Sequence, residues 1–322
     1  MNGFLQEKIR TSFLRAQHIL YSPPKPLSFI KGSKMWYYLA YNRALCEKPS
    51  RSDIESQAKP TDPFESPYTP GLFISKLQQD HVLLWNPFNI VPKHLLIATT
   101  NRKEHQEELL TPNTLHVSYQ SLSLLNSLVF YNSGVYSCSS QPHRHLHLIS
   151  LPLITPEHTQ RLDQKSPQTD VFYRPVVQFH RYVMGHYKDS KDIEKILLPS
   201  FKLQGLPFSN ACCVLPKKNI TPKVLYDAYT SCLKQFTSVL DEKKIIKDGD
   251  GSKREIYGPN ISYHLFMSKS WMMVVPRSSI SYQGIGVYPI GFLGAIFLKD
   301  KRQQKIIRKI GPENLLRNLT NI

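Results

Sequence analysis

The sequence predicts a mixed α and β fold, built as one large unit or two intimate halves, and three observations carry that expectation. Apolar runs of strand length, such as Val82-Leu83-Leu84-Trp85 and Leu95-Leu96-Ile97-Ala98, recur along the chain. Two Thr-Pro pairs, Thr111-Pro112 and Thr221-Pro222, open segments with helical spacing of apolar residues. Threonine caps a first turn, and proline, lacking an N–H, suits its first position. The run Pro142-His143-Arg144-His145-Leu146-His147-Leu148-Ile149 alternates with the period of a strand, so His143, His145 and His147 share one face.

With 322 residues the chain can bury a substantial core, and its 41% hydrophobic and 20% charged content places it with soluble globular proteins. No apolar run approaches the ~20 residues that span a bilayer. The formal net charge of +17, with a pI near 9.6, implies an anionic partner such as a nucleotide, a nucleic acid or a membrane surface. The five cysteines, Cys46, Cys138, Cys212, Cys213 and Cys232, form no CxxC, and residues 1–20 lack the continuous apolar core of a secretory signal. Reduced thiols in the cytoplasm, or also the nucleus, are expected.

Taken in order, residues 4–20 space Phe4, Leu5, Ile9, Phe13, Ala16, Ile19 and Leu20 as an amphipathic docking helix, with a mitochondrial presequence as the alternative reading. Residues 47–70, rich in Pro, Ser and charge, read as a loop. The Val82 and Leu95 runs are strands separated by residues 86–94. The Thr111-Pro112 helix carries Leu115, Tyr119, Leu122 and Leu125 on one face, and Val129-Phe130-Tyr131 then forms a strand leading through Asn132-Ser133-Gly134 to the histidines. After a polar excursion at 155–170, residues 210–215 read as a strand, the Thr221-Pro222 helix runs to about Leu240, and 241–259 read as a charged loop around Asp248-Gly249-Asp250-Gly251. That loop is not a calcium site. Lys253 stands where an EF-hand needs its glycine, and Pro259 where it needs its glutamate. Residues 263–267 and 271–275 are strands. The glycines at 284–294 lack GxGxxG spacing, which leaves Gly286 and Gly291 as turn or close-packing glycines. The basic tail from Lys299 ends in an amphipathic segment near 306–319, whose charges read as a solvated face because aromatic interleaving is missing.

Three imidazoles on one strand face suit metal binding or nucleophilic catalysis, and a His-rich surface strand is the plain alternative. A cupin-type metal site needs a glutamate soon after its HxH pair, but no acid follows His147 until Glu157, and no HExxH is present. The small-residue turn Ser133-Gly134, then Ser137-Cys138-Ser139-Ser140, offers amides and hydroxyls to an anion, and so favours phosphate chemistry. Cys138 itself reads as a small buried thiol. A neutral imidazole can attack phosphorus if its other ring nitrogen is held by an acceptor, either a backbone carbonyl or His143. No carboxylate cluster is visible to hold a metal, and no tightly bound cofactor is expected; a divalent cation, Mg or Mn, would help neutralise an anionic phosphate ligand.

The stretch Gln141-Pro142-His143-Arg144-His145-Leu146-His147, preceded by Phe130-Tyr131-Asn132-Ser133-Gly134, resembles the active-site strand of the histidine triad superfamily. It is most similar to the diadenosine tetraphosphate phosphorylase (ATP adenylyltransferase) branch. Asp62-Pro63-Phe64-Glu65-Ser66-Pro67-Tyr68 resembles that family's Pro-Phe-x-Pro-Pro-Tyr loop, and Asn86-Pro87-Phe88-Asn89-Ile90-Val91-Pro92-Lys93-His94 its Asn-Lys-Phe-Asn-Val-Val-Pro-x-His hairpin. Leu110-Thr111-Pro112 matches the helix start that follows. Leu206-Pro207-Phe208, Tyr263-His264-Leu265-Phe266-Met267 and Trp271-Met272-Met273-Val274-Val275-Pro276-Arg277 resemble its C-terminal domain. The resemblance runs over most of the chain, roughly residues 4–320.

The resemblance implies an α+β fold: a histidine-triad-like antiparallel sheet flanked by helices, with a C-terminal ATP-adenylyltransferase-type extension. It implies a catalytic part at 1–155, a connecting loop at 155–170 and a second part at 171–322 packed on the same sheet. His145 would be the nucleophile, with His143 and His147 beside it. Ligand contacts are implied at Lys48, Asn86, Asn132, Cys138, Ser139, Ser140, Gln141, His147, His264, Phe266 and Arg277. The implied partners are a dinucleoside polyphosphate, nucleotides and inorganic phosphate. Nucleic acid would bind only weakly and non-specifically, no membrane is involved, and a monomer is favoured. This chain departs from the family at His147, where glutamine is usual, at Cys138-Ser139-Ser140 for Gly-Ala-Ser, at Pro87 for lysine, and at His264 for asparagine. Two competing readings are a histidine triad hydrolase, with water as acceptor, and a non-catalytic nucleotide binder. The intact histidine set weighs against the latter.

Overall fold

The structure is a computed structural model that describes residues 2–16, 25–42, 62–89, 91, 93–151, 199–247 and 252–321. Fifteen strands, numbered β1–β15 along the chain, and six α-helices, α1–α6, lie among the described residues. The centre is an antiparallel sheet of eight strands. The N-terminal half supplies β3 (Phe73–Leu77), β4 (His81–Trp85), β5 (His94–Thr99), β6 (Ser127–Ser133) and β7 (His145–Ser150). The C-terminal half supplies β8 (Ala211–Val214), β11 (Ser262–Met267) and β12 (Trp271–Arg277). The spatial order is β3-β4-β5-β7-β6-β11-β12-β8, so β6 of one half pairs directly with β11 of the other, with Asn132 opposite His264 and Phe130 opposite Phe266.

Alternation on these strands sends side chains to two cores. Val129, Tyr131, Leu146, Leu148, Leu265, Met272 and Val274 face the helices α1 (Asn2–Ala16), α2 (Pro112–Ser121) and α3 (Pro222–Leu233). Thr111 and Thr221 cap the last two, each hydroxyl accepting from the N–H three residues on, Thr114 at 3.1 Å and Val224 at 3.2 Å. On the opposite face Leu128, Phe130, Ile149, Phe266, Met273 and Val275 pack under a second sheet of β1 (Lys25–Lys31), β2 (Trp36–Tyr41) and β15 (Ala295–Leu298). The short α4 (Pro289–Phe292), α5 (Lys301–Ile310) and α6 (Pro312–Asn318) complete that layer. Each fully buried aliphatic or aromatic side chain contributes roughly 1.5–3 kcal/mol by leaving water. A small third cluster of Phe64, Val82, Leu84, Leu96 and Ala98 covers the other end of the same face. The histidines lie on this face between the two clusters, His145 opposite Ala98 and His147 opposite Phe130.

Several expectations change. Residues 241–259 are not a loop: β9 (Glu242–Lys247) and β10 (Lys253–Gly258) form a hairpin. Its charge masked the alternation. Ile256 is buried, while Lys243 pairs across the strands with Glu255 at 2.6 Å. The tip at 248–251, with its aspartates, lies outside the described residues, as do Lys48, Cys46 and the excursion at 155–170. The Thr221-Pro222 helix ends at Leu233 rather than near Leu240, and α2 ends at Ser121, before the left-handed Asn126 (φ 48°) turns the chain into β6. The C-terminal segment breaks into α5 and α6 at Gly311-Pro312, where Gly311 has φ 79°. Strands β1, β2, β3 and β15 were not assigned from sequence. The N-terminal helix docks as expected: Ile9 and Ala16 are buried, and the Trp85 indole N–H donates to the Ser12 hydroxyl at 3.1 Å. Gly291 is a close-packing glycine, since a Cβ there would lie 2.3 Å from Val287.

Candidate active site

Strand β7 lies between β5 and β6. Register sets His145 opposite Ala98 and His147 opposite Leu96 on one side, and His147 opposite Phe130 on the other. The Phe130 ring lies flat on His147, centroids 4.4 Å apart and planes within 8°. The β6–β7 ladder ends at that pair. Where Asn132 would next bond to His145, the Gln106 side chain enters instead. Its Nε2 donates to the carbonyls of Asn132 (2.9 Å) and His145 (3.0 Å), and its Oε1 accepts from the His145 N–H (2.8 Å). The Gln106 carbonyl in turn accepts from the Tyr131 hydroxyl. The two strands therefore splay without leaving these backbone groups unsatisfied.

His143, His145 and His147 are gathered as predicted and are all buried, at 3%, 5% and 7% exposure. His145 Nδ1 lies 2.9 Å from the His143 carbonyl. A carbonyl only accepts, so Nδ1 carries the proton and Nε2 the lone pair. This is the acceptor arrangement that the chemistry requires. His143 bonds Asp62 Oδ2 through Nδ1 at 2.7 Å and Thr99 Oγ1 through Nε2 at 3.1 Å. Burial works against ionisation of Asp62. The His143 hydrogen bond and charge, with the Phe64 N–H, outweigh it and hold the carboxyl below its ordinary value. His147 Nδ1 meets His94 Nε2 at 2.9 Å, and the Asn86 amide lies 3.3 Å from the His94 ring. The Phe64 ring covers His145 at 4.7 Å between centroids. On the opposite face the buried Arg144 guanidinium pairs with Glu104 and Glu108, and the Arg144 backbone N–H donates to the Glu104 carbonyl. The strand is thus anchored from behind.

The small-residue turn follows β6. Gly134 has φ 85°, and a Cβ there would sit 2.8 Å from the Ser262 Cα, so only glycine fits. The Ser137 hydroxyl donates to the Gly134 carbonyl at 2.7 Å, and Cys138 takes the left-handed conformation at φ 62°. Cys138 is only half-buried and its thiol touches the Arg277 guanidinium, which corrects the expectation of a buried thiol. A tight turn with positive φ lifts the side chain out of the core. Ser139, Ser140 and Gln141 continue the turn and are half-buried.

From the C-terminal half, His264 Nδ1 lies 2.9 Å from Asn132 Oδ1, and its Nε2 lies 2.7 Å from Arg277 Nη1. Burial, and then the charge of Arg277, hold the His264 pKa well below its ordinary value. Phe266 is wholly buried in the core opposite Phe130. Asn86 is held in the β4–β5 connection, its Oδ1 accepting from the Phe88 N–H at 3.0 Å. Sequence reasoning gave no role to Gln106 or Thr99. It quoted Asp62, Phe64 and His94 within family segments without assigning them one. These contacts join residues 39, 44, 81 and 53 positions apart, beyond the reach of local periodicity. Among the described residues no group of three or more His, Cys, Asp or Glu is placed to hold a metal ion, and no helix is long and apolar enough to cross a membrane.

Comparison with known proteins gives consistent findings. A family model for the Ap4A phosphorylase N-terminal domain matches residues 9–165, Ap4A being diadenosine tetraphosphate, and one for the ATP adenylyltransferase C-terminal domain matches 204–321. The chain is 26% identical to diadenosine tetraphosphate phosphorylase 2 of Saccharomyces cerevisiae, over 93% of this chain and 88% of that protein. It is 28% identical to Protein APA1 of the same yeast, over 86% and 80%. The fold matches the crystal structure of yeast Ap4A phosphorylase Apa2 in complex with Ap4A with a TM-score of 0.67, at 21% identity, over 97% of this chain and 95% of that one. Carrying both domain types in order, the chain belongs to the Ap4A phosphorylase and ATP adenylyltransferase family.

Proposed function

We propose that this protein is a nucleotidyltransferase that cleaves Ap4A with inorganic phosphate to give ATP and ADP, through a nucleotidyl intermediate on His145. One observation carries the reading: the His143 carbonyl holds the His145 Nδ1 proton, so Nε2 is the nucleophilic nitrogen. Nε2 attacks an α-phosphorus of Ap4A, and the bond from that phosphorus to the oxygen bridging to the β-phosphorus breaks. ATP leaves and the adenylyl group stays on His145. An oxygen of inorganic phosphate then attacks the same phosphorus, ADP forms, and the electron pair returns to Nε2.

The remaining residues serve this exchange. The Asp62 carboxylate, bonded to His143, fixes the segment whose carbonyl orients His145. Phe64, over the imidazole, limits the approach of water. His147, coupled to His94, can pass a proton to or from a phosphate oxygen. Asn132, Cys138, Ser139, Ser140 and Gln141 line the side toward the small-residue turn, and the family resemblance makes Lys48 a further ligand contact. A Mg or Mn ion arriving with the polyphosphate would offset its charge. The protein works as a monomer in the cytoplasm, with the nucleus as a second compartment. The test is Ap4A turnover with and without inorganic phosphate. Phosphate-dependent ATP and ADP supports the reading. AMP formed at the same rate in both conditions, with no ADP, would make the protein a hydrolase.

A further inference from the structure

Arg277 is buried at 1% exposure; its guanidinium meets the Cys138 thiol, and its two terminal nitrogens make four further contacts, all donations. Nη1 donates to the Val287 carbonyl at 2.9 Å and lies 2.7 Å from His264 Nε2; Nη2 donates to the carbonyls of Ser279 (2.7 Å) and Ile280 (3.1 Å). A guanidinium has no acceptor to offer, so His264 Nε2 must accept. Its proton then sits on Nδ1, which donates to Asn132 Oδ1 at 2.9 Å. Flipping the Asn132 amide would set its NH2 against the Nδ1–H, donor against donor. The amide therefore has one orientation, with Nδ2 turned away from His264. His264 lies opposite Asn132 on β6 and Val275 on β12, among the rings of Phe266 and Phe292, and is wholly buried. Being wholly buried, it acts on a ligand through its Nδ1 partner Asn132. Asn132 neighbours His145, the two backbones being joined by Gln106.

We propose that Arg277 and His264 are positioning residues that fix Asn132 as a hydrogen-bond donor to a phosphoryl oxygen at the centre attacked by His145. The inference rests on the function proposed above and adds what directs the Asn132 amide. An oriented NH2 aimed at an oxygen that gains charge during transfer stabilises the transition state without reorganising. The same amide turned round would present its carbonyl oxygen to an anion. His264 thus acts on phosphate recognition from behind Asn132.

The ring itself gives the first test. In the wild-type protein, long-range 1H–15N correlations assigned to His264 should show a neutral ring protonated at Nδ1, at and below neutral pH. An Nε2–H tautomer, or a cationic ring at neutral pH, overturns the proposal. Kinetics give the second. His264→Asn places an amide near the former Nδ1 and rebuilds the contact to Asn132; His264→Gln places one near the former Nε2 and rebuilds the contact to Arg277. If the pair acts through Asn132, His264→Asn keeps kcat/KM for Ap4A within about threefold and His264→Gln loses about tenfold, mostly in kcat. The reverse ranking means that the ring only satisfies a buried guanidinium, and overturns the proposal. In an Asn132→Ala background His264→Gln should cost nothing further, and a second tenfold loss there also contradicts it. Absence of Ap4A turnover by the wild type would count against the proposed function alone, because the tautomer is read without substrate.

Discussion

His143 and His264 are both buried histidines with a hydrogen bond at each ring nitrogen, yet their partners differ in kind. His143, in the N-terminal half, stands between the Asp62 carboxylate and the Thr99 hydroxyl. His264, in the C-terminal half, stands between the Arg277 guanidinium and the Asn132 amide. A carboxylate and a hydroxyl can follow a change of proton on the ring; a permanent cation forbids one. The half that carries the nucleophile thus surrounds it with groups able to share protons. The other half contributes a ring whose protonation is locked and whose use is geometric. Burial alone does not say what a histidine does. The partner at its second nitrogen does.

The largest expected effect tests the N-terminal side of that contrast. His145→Ala should lower Ap4A turnover by about three orders of magnitude or more while leaving the fold and nucleotide binding in place, because the covalent route is removed. Residual activity within about tenfold of wild type would remove His145 from its role. Next is Gln106, the clamp that joins β6 to β7 at the site. Gln106→Ala frees the His145 and Asn132 backbones and should cost about 10–100-fold in kcat with a smaller change in KM, since positioning rather than binding is lost. Equal loss in KM with kcat intact would make it a binding residue instead.

A smaller effect separates the two environments by pH. Unfolded chains protonate histidine near pH ~6.5. The folded His264 resists, because of its burial and then Arg277. Its contribution to stability is therefore complete above pH ~6.5 and is lost as pH falls below it, by up to about 1.4 kcal/mol per pH unit from this one ring. Asp62, whose folded pKa is also depressed, contributes above ~3.9 and loses that contribution only at lower pH. Urea unfolding between pH 7.5 and 5 should show the first loss, and His264→Asn should flatten it; an unaltered slope in the variant would mean that another group titrates there. Smallest is His147. Its imidazole can transfer a proton, as a glutamine amide cannot, and so can assist water as well as phosphate. A measurable release of AMP beside phosphorolysis is expected, and His147→Gln should reduce it a few-fold relative to ADP formation, read by chromatography of the products. No AMP in the wild type would make this substitution neutral for the acceptor.

How far the sequence reveals this site follows from the range of each interaction. The shared face of His143, His145 and His147 is written in a period of two residues, and the two Thr-Pro helix starts in adjacent residues, so both were legible. The acceptor at His145 Nδ1 was legible too, because it is a carbonyl two residues away. The Gln106 clamp was not, since nothing near Gln106 distinguishes it from any polar loop residue. The β9–β10 hairpin was hidden because Lys and Glu pairing across strands looks like loop composition when read along the chain. The Arg277–His264–Asn132 line needs the β6–β11 pairing between halves, which no local pattern specifies.

The most direct measurement is to trap the intermediate. The protein is mixed with labelled Ap4A without inorganic phosphate, quenched in alkali, where phosphohistidine-type bonds survive, and mapped by mass spectrometry. An adenylyl group on His145 and on no other histidine, discharged as ADP when phosphate is added, is the result this account predicts. Efficient phosphorolysis with no adduct at His145, or with the adduct on His143 or His147, would contradict it.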